Sequence, residues 1–185
     1  MVRWEPDARG RLEQAAEQLF AEHGFDQTTA AQIAERAGLS ERTFFRHFAD
    51  KREMLFGRSG ALQQLFVDAV VAAPAEATPF DVVAAALDAS AAVFTDLDHS
   101  RRRQGIIDSD ASLQERELIK MSRLAAGVAE ALRERGVTEP AASLAAQTGI
   151  GVFHVTFTRW VAEGNTRGFG DLLQESIAEV RVVVR

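Results

Sequence analysis

The 185 residues include no cysteine, which removes disulfide bonds, thiolate nucleophiles and Cys-ligated zinc together. No apolar run approaches the roughly 18–20 residues that a bilayer span requires, so no membrane association is expected. The opening stretch MVRWEPDARGR has no apolar segment behind its basic residues, unlike a secretory signal, and the expectation is a cytoplasmic protein. Positive charge is also in deficit: 21 Lys and Arg stand against 27 Asp and Glu, a formal net charge of −6. Such a chain does not coat nucleic acid through overall basicity; any contact with DNA must draw on cations gathered in one place. Catalytic signatures are missing as well. No two of the four His fall at i, i+4, and neither His-Glu-x-x-His nor Gly-x-Ser-x-Gly occurs. Gly164 to Gly170 is not followed by the Lys-Ser/Thr of a phosphate loop. No catalytic residues, no metal, no cofactor and no enzymatic activity are expected.

What the chain does have is helical periodicity from end to end. Leu12, Ala15, Ala16, Leu19 and Phe20 fall at i, i+3, i+4, i+7 and i+8, one apolar stripe on a helix from Asp7 to His23. Gly24 ends that helix, and Phe25 stands where it can pack back on the stripe. A short second helix is expected from Ala30 to Ala37 with Ile33 inward, and a third from Glu41 to Phe48, capped by Ser40. Asp50 starts a fourth, longer helix through Met54, Leu55, Leu62, Leu65, Phe66 and Val70, ending before the Ala-Pro-rich linker 72–79. Further helices are expected at 80–97, 101–108, 111–135, 138–163 and 171–184, with His99 in a loop. The fold class is all-α.

The segment Thr29 to Phe48, TAAQIAERAGLSERTFFRHF, carries the most information. Two helices of about eight residues flank a turn opened by Gly38, whose missing Cβ permits a left-handed backbone. That is the spacing of a helix-turn-helix. Phe44 and Phe48, four apart, lie on one inner face of its second helix. The outer face offers Arg42, Thr43, Arg46 and His47, all hydrogen-bond donors. From Arg36 to Arg52, five cations (36, 42, 46, 51, 52) stand against Glu41 and Asp50, a local +3. Residues 1–55 as a whole carry eight basic and ten acidic side chains, so the positive charge is confined to this stretch. Duplex affinity comes chiefly from neutralising phosphates, and specificity from side chains at the start of a recognition helix that reach base edges. Arg42 is placed for the second task, with a bidentate preference for guanine.

Residues 8–55 resemble the DNA-binding domain of TetR/AcrR-type repressors. The likeness rests on Phe20-Ala-Glu-His-Gly-Phe25, Thr28-Thr29, Ile33-Ala34, Ala37-Gly38, Ser40, Thr43, Phe45-x-His47-Phe48, Lys51 and Met54-Leu55. It implies an N-terminal three-helix DNA-binding domain, here residues 5–55 with the helix-turn-helix at 29–48. A helical effector-binding and dimerisation domain, 56–185, would follow. It further implies a homodimer on double-stranded operator DNA and release of that DNA when a small molecule binds. Carried over by position, Thr28 and Thr29 would hold phosphate at the second helix's N-terminus, with Ser40 capping the third. Arg42 and Thr43 would meet base edges, and His47 and Lys51 would face phosphate, with Arg46 placed to make up for the hydroxyl that position 45 lacks. Phe45 stands where the family usually has Tyr. It lacks the hydroxyl that touches phosphate and can only press on sugar or a thymine methyl.

The remaining two-thirds of the chain is less specific. Gly149 and Gly151, inside the expected helix 138–163, each cost about 1 kcal/mol relative to Ala. They fit either a close approach in a dimer's four-helix bundle or relief of crowding against Phe153 within one subunit. Leu172, Leu173, Ile177, Val180 and Val184 would give the last helix an apolar seam. Phe94, Met121, Phe153, His154, Phe157 and Trp160 are the candidate effector-pocket residues, against the plainer reading of bulky core; their apolar character points to a hydrophobic effector. Arg101-Arg102-Arg103 reads as a solvated helix start, against the alternative of an anion-binding run. The competing reading of the whole chain is a helical ligand-binding or interaction module that has lost contact with DNA.

Overall fold

The computed structural model describes residues 7–57 and 59–183; residues 5 and 6 of the expected N-terminal domain and Val184 of the expected seam lie outside them. Ten helices and no strand are found among the described residues. They are α1 (Ala8–His23), α2 (Ala30–Arg36), α3 (Glu41–His47), α4 (Glu53–Phe56), α5 (Ser59–Ala72), α6 (Pro79–Ser90), α7 (Leu97–Asp108), α8 (Ala111–Glu134), α9 (Ala141–Val161) and α10 (Phe169–Val183). The all-α class is thus observed.

The chain forms two compact units. One comprises residues up to 58 together with 102–115, the other 59–101 together with 116–185. Residues 102–115, which the sequence assigns to the regulatory part, therefore pack with the helix-turn-helix. In the first unit the α1 stripe is buried residue for residue: Leu12, Ala15, Ala16, Leu19 and Phe20 all face inward. Phe25 closes over Phe20 with ring centroids 5.1 Å apart. Ile33, Ala34, Phe44, Phe48, Leu55 and Phe56 complete this core, joined by Ile106, Ile107 and Leu113.

In the second unit α6 packs on α5 and α9, and α10 on α9. Gly149 explains how closely α9 can lie on α6: it is buried, and a Cβ added there would stand 2.2 Å from Val83 Cγ1. The close approach belongs to α6 within one chain, not to Phe153. Gly151 faces outward with nothing within 4 Å.

Four expectations are corrected. The single fourth helix is two, α4 and α5, with Gly57 closing α4 by donating its N–H to Glu53 O. The expected 80–97 helix stops at Ser90, leaving Phe94 between helices. His99 lies in α7, where its N–H donates to Asp96 Oδ1 at 2.9 Å. The arginine run is not simply solvated. Arg101 donates to the carbonyls of Val161, Ala162 and Asn165 at 2.7–3.1 Å. Arg103 donates to Leu55 O at 2.8 Å and lies over the Phe56 ring.

The Gly149 contact yields a stability prediction. Gly149→Ala overpacks the α6–α9 seam and lowers unfolding free energy by about 1–3 kcal/mol, although Ala is the better helix former; urea denaturation checks it. An unchanged or raised midpoint contradicts the close packing.

Candidate nucleic-acid interface

Helices α2 and α3 are short and owe their definition to their ends. Thr29 caps α2: its Oγ1 accepts the Gln32 N–H at 3.2 Å while Gln32 Oε1 accepts the Thr29 N–H at 2.8 Å, a reciprocal capping box. Gly38, at φ 68°, turns the chain out of α2. Its N–H donates to Glu35 O, the Leu39 N–H donates to Ala34 O, and Arg11 donates to the Ala37 carbonyl beside it. Ser40 then caps α3 by accepting the Thr43 N–H at 3.2 Å.

Rotation of α3 is set by Phe44 within it and by Phe48, the extended residue that caps its C-terminus. Phe44 is completely buried and Phe48 nearly so, with centroids 5.7 Å apart. At 100° per residue this turns Arg42, Phe45 and Arg46 outward, and all three are exposed. Phe45 is 53% exposed and meets Phe44 edge-on at 5.2 Å and 81°. Among the described residues neither Arg42 nor Arg46 has an ion-pair or hydrogen-bond partner within the chain, and the same holds for exposed Arg52. Thr43 is half-buried, its hydroxyl 3.0 Å from that of Ser40.

Other residues that the resemblance nominates are placed differently. Thr28 is 1% exposed, and its hydroxyl serves the Leu19 and Gly24 carbonyls at 3.2 and 2.9 Å. Its oxygen faces the protein interior, and only Thr29 of the pair is at the surface. Lys51 is turned inward too. Its ammonium donates to the carbonyls of Phe25 (2.7 Å), Asp26 (3.3 Å) and Thr28 (3.0 Å) and sits 4.2 Å from the Phe25 ring centre. Burial lowers its pKa from the usual lysine range, and Asp26 offsets part of that effect. Three protons meeting three carbonyls leave this ammonium no free donor, so in this conformation Lys51 pins the α1–α2 loop rather than reaching for phosphate. His47 is half-buried with Nε2 enclosed and unpartnered; that atom reaches a phosphate only if the ring turns. Arg36, counted in the local positive charge, is spent on a two-pronged pair with Glu22 at 3.0 and 2.8 Å. The Arg36 bond holds the Glu22 carboxyl below its ordinary pKa.

In the second unit the expected pocket residues divide. Phe94, Phe153, Phe157 and Trp160 form one aromatic cluster with Phe66 and Phe169, ring centroids 4.8–6.2 Å apart. Met121 packs against the edge of that core, whereas His154 points out to solvent. Phe169 and Phe66 were missing from the candidates. The signal for Phe169 was an aromatic residue between Gly168 and Gly170, just ahead of an apolar helix. On α9, Thr156 is fully buried and its hydroxyl finds no partner among the described residues.

Comparison with known proteins places the same region. Residues 13–57 match the family model of bacterial regulatory proteins, tetR family. The HTH-type transcriptional regulator TcmR of Streptomyces glaucescens is 37% identical over 81 residues, 44% of this chain but 36% of that protein. The chain thus matches about a third of that curated relative's length. Solved structures extend the likeness in fold to nearly the whole chain. A putative TetR-family transcriptional regulator from Mesorhizobium loti is 22% identical, covers 97% of each chain and superposes with a TM-score of 0.62. FadR from Bacillus subtilis, in complex with stearoyl-CoA, is 20% identical over 91% of this chain and 95% of its own, with a TM-score of 0.60.

The inward lysine gives the site its own prediction. Lys51→Met removes three charge-assisted bonds and lowers stability by about 2 kcal/mol. The salt dependence of duplex binding stays unchanged, as chemical denaturation and titrations at several salt concentrations will show. A slope shallower by about one, with stability intact, returns Lys51 to the phosphate role.

Proposed function

We propose, for a chain that belongs to the tetR family of bacterial regulatory proteins, that it works in the cytoplasm as a homodimeric repressor released from operator DNA by a small molecule. The observation that carries this reading is the outer face of α3, where Arg42 and Arg46 stand exposed and unpaired on a helix whose other side is locked into a core. A free guanidinium at the start of such a helix, that of Arg42, suits guanine O6 and N7 in the major groove, and one in its last turn, that of Arg46, suits the flanking phosphates. In a two-fold dimer, two copies of α3 one duplex turn apart (~34–36 Å) would read a near-palindrome.

Support for the dimer comes from α9. Leu144, Thr148, Gly151 and Val155 recur at intervals of four, three and four on its outer side. Leu144 and Val155 are 63% and 53% exposed. Val182 of α10 is exposed as well. An apolar stripe with a glycine at its centre suits close helix packing against a second copy. Support for a hydrophobic effector comes from the aromatic cluster, which is packed rather than hollow. A ligand would have to displace rings there, and the orphan Thr156 hydroxyl would offer it a hydrogen bond. FadR of Bacillus subtilis, similar in fold, is described in complex with stearoyl-CoA, a ligand that carries a long acyl chain. Coupling between the sites follows from linkage: an effector that favours a dimer geometry mismatched to successive grooves weakens operator binding, and operator weakens effector binding by the same factor.

Three measurements test the reading. Arg42→Ala relaxes the preference at one base pair per half-site, worth about 1–3 kcal/mol of discrimination, as a binding-site selection with each protein will show. Unchanged base preference removes Arg42 from that role. Failure of the wild-type chain to shift any duplex at low and moderate salt favours the module without DNA contact. Val155→Arg, on the exposed stripe, yields a helical monomer by analytical ultracentrifugation. A dimer of undiminished affinity moves the interface elsewhere.

A further inference from the structure

Phe45 has a place that its neighbours do not explain. Among the described residues of the first unit it is the one large apolar side chain left more than half exposed. A single exposed aromatic residue is ordinary on a protein surface, but this one is held in position. Its ring meets the edge of Phe44, which is completely buried and cannot shift without opening the core. It lies three residues after Arg42 on the same side of α3 and directly before Arg46. The outer face of the helix therefore presents an oriented apolar ring beside two guanidinium groups that are unpaired among the described residues.

The chemistry of the ring narrows what it can touch. It has no donor, so a phosphate gains nothing from it. Contact with deoxyribose carries no sequence information. In the major groove the apolar feature of a base edge is the C5-methyl group of thymine, and an aromatic side chain suits it. Three helical residues advance about 4.5 Å, against about 3.4 Å for a base-pair step, so Phe45 reaches about one step from the base pair that Arg42 meets. Resting on the DNA-binding reading above, we infer that Phe45 is a specificity-determining residue that reads one thymine methyl per half-site, next to the guanine held by Arg42.

The test replaces thymine by deoxyuridine, which pairs identically and lacks only that methyl. Starting from the best duplex that the wild-type protein selects out of a randomised 30-base-pair pool, each thymine is exchanged in turn, symmetrically in both half-sites. Affinity is read by fluorescence anisotropy at constant salt. One thymine, adjacent to the base pair whose preference Arg42→Ala relaxes, costs about fourfold per half-site when its methyl is removed. The other thymines do not. The same exchange costs Phe45→Ala nothing, circular dichroism showing that the variant is folded. The scan on the wild-type protein stands without any variant. A selected duplex that tolerates every thymine exchange overturns the inference while leaving DNA binding in place, as does an equal loss in Phe45→Ala. A protein that selects no duplex from the pool overturns the DNA-binding reading and this inference with it.

Discussion

Burial of Phe44 and Phe48 is the constraint on which the rest of the interface depends. Truncating a buried phenylalanine costs about 3–5 kcal/mol, so two of them, Phe44 on a seven-residue helix and Phe48 just past its end, fix its rotation far more firmly than its own hydrogen bonds could. A helix that short is not stable alone; the core holds it and decides which residues are left for solvent. Arg42, Phe45 and Arg46 are outward because 44 and 48 are inward. Capping by Ser40 and the left-handed Gly38 then place the start of the helix, where base-reading side chains belong, at the end of a defined turn.

Charge follows the same economy. The molecule is anionic overall, and its cations near the helix-turn-helix are divided between two duties. Arg36 and Lys51 hold structure, one on Glu22 and one on three loop carbonyls. Arg42, Arg46 and Arg52 remain unpaired and exposed among the described residues. The usable positive surface is therefore smaller than a count along the sequence suggests, and it is concentrated where a groove would receive it. On the reading proposed above, few phosphate contacts would put a larger share of operator affinity on base contacts and on doubling the site in a dimer.

The parts of this architecture legible in sequence are those set by spacing. The α1 stripe, the burial of Phe44 and Phe48, the Gly38 turn and the Ser40 cap all follow from periodicity or local backbone chemistry. Each is found as read. What spacing cannot supply is which distant carbonyl a long side chain will reach. Lys51, Arg101 and Arg103 look like surface cations in the sequence, yet each is fastened to backbone carbonyls of a distant segment. Thr28 and Thr29 are adjacent and chemically alike, but the loop geometry buries one and exposes the other. The break at Gly57 escapes periodicity because the apolar pattern runs on across it. Gly149 and Gly151 could not be told apart until α6 was seen to cover only the first.

The central claim, that the outer face of α3 enters a major groove, is met most directly by dimethyl sulfate interference on a duplex the protein selects. Methylation of guanine N7 blocks the acceptor that a bidentate arginine uses. The account predicts that binding is abolished by methylating one guanine in each half-site, the two lying one helical turn apart on the same side of the duplex. Binding indifferent to guanine N7 methylation, or impaired only by methylation at adenine N3 in the minor groove, would contradict it.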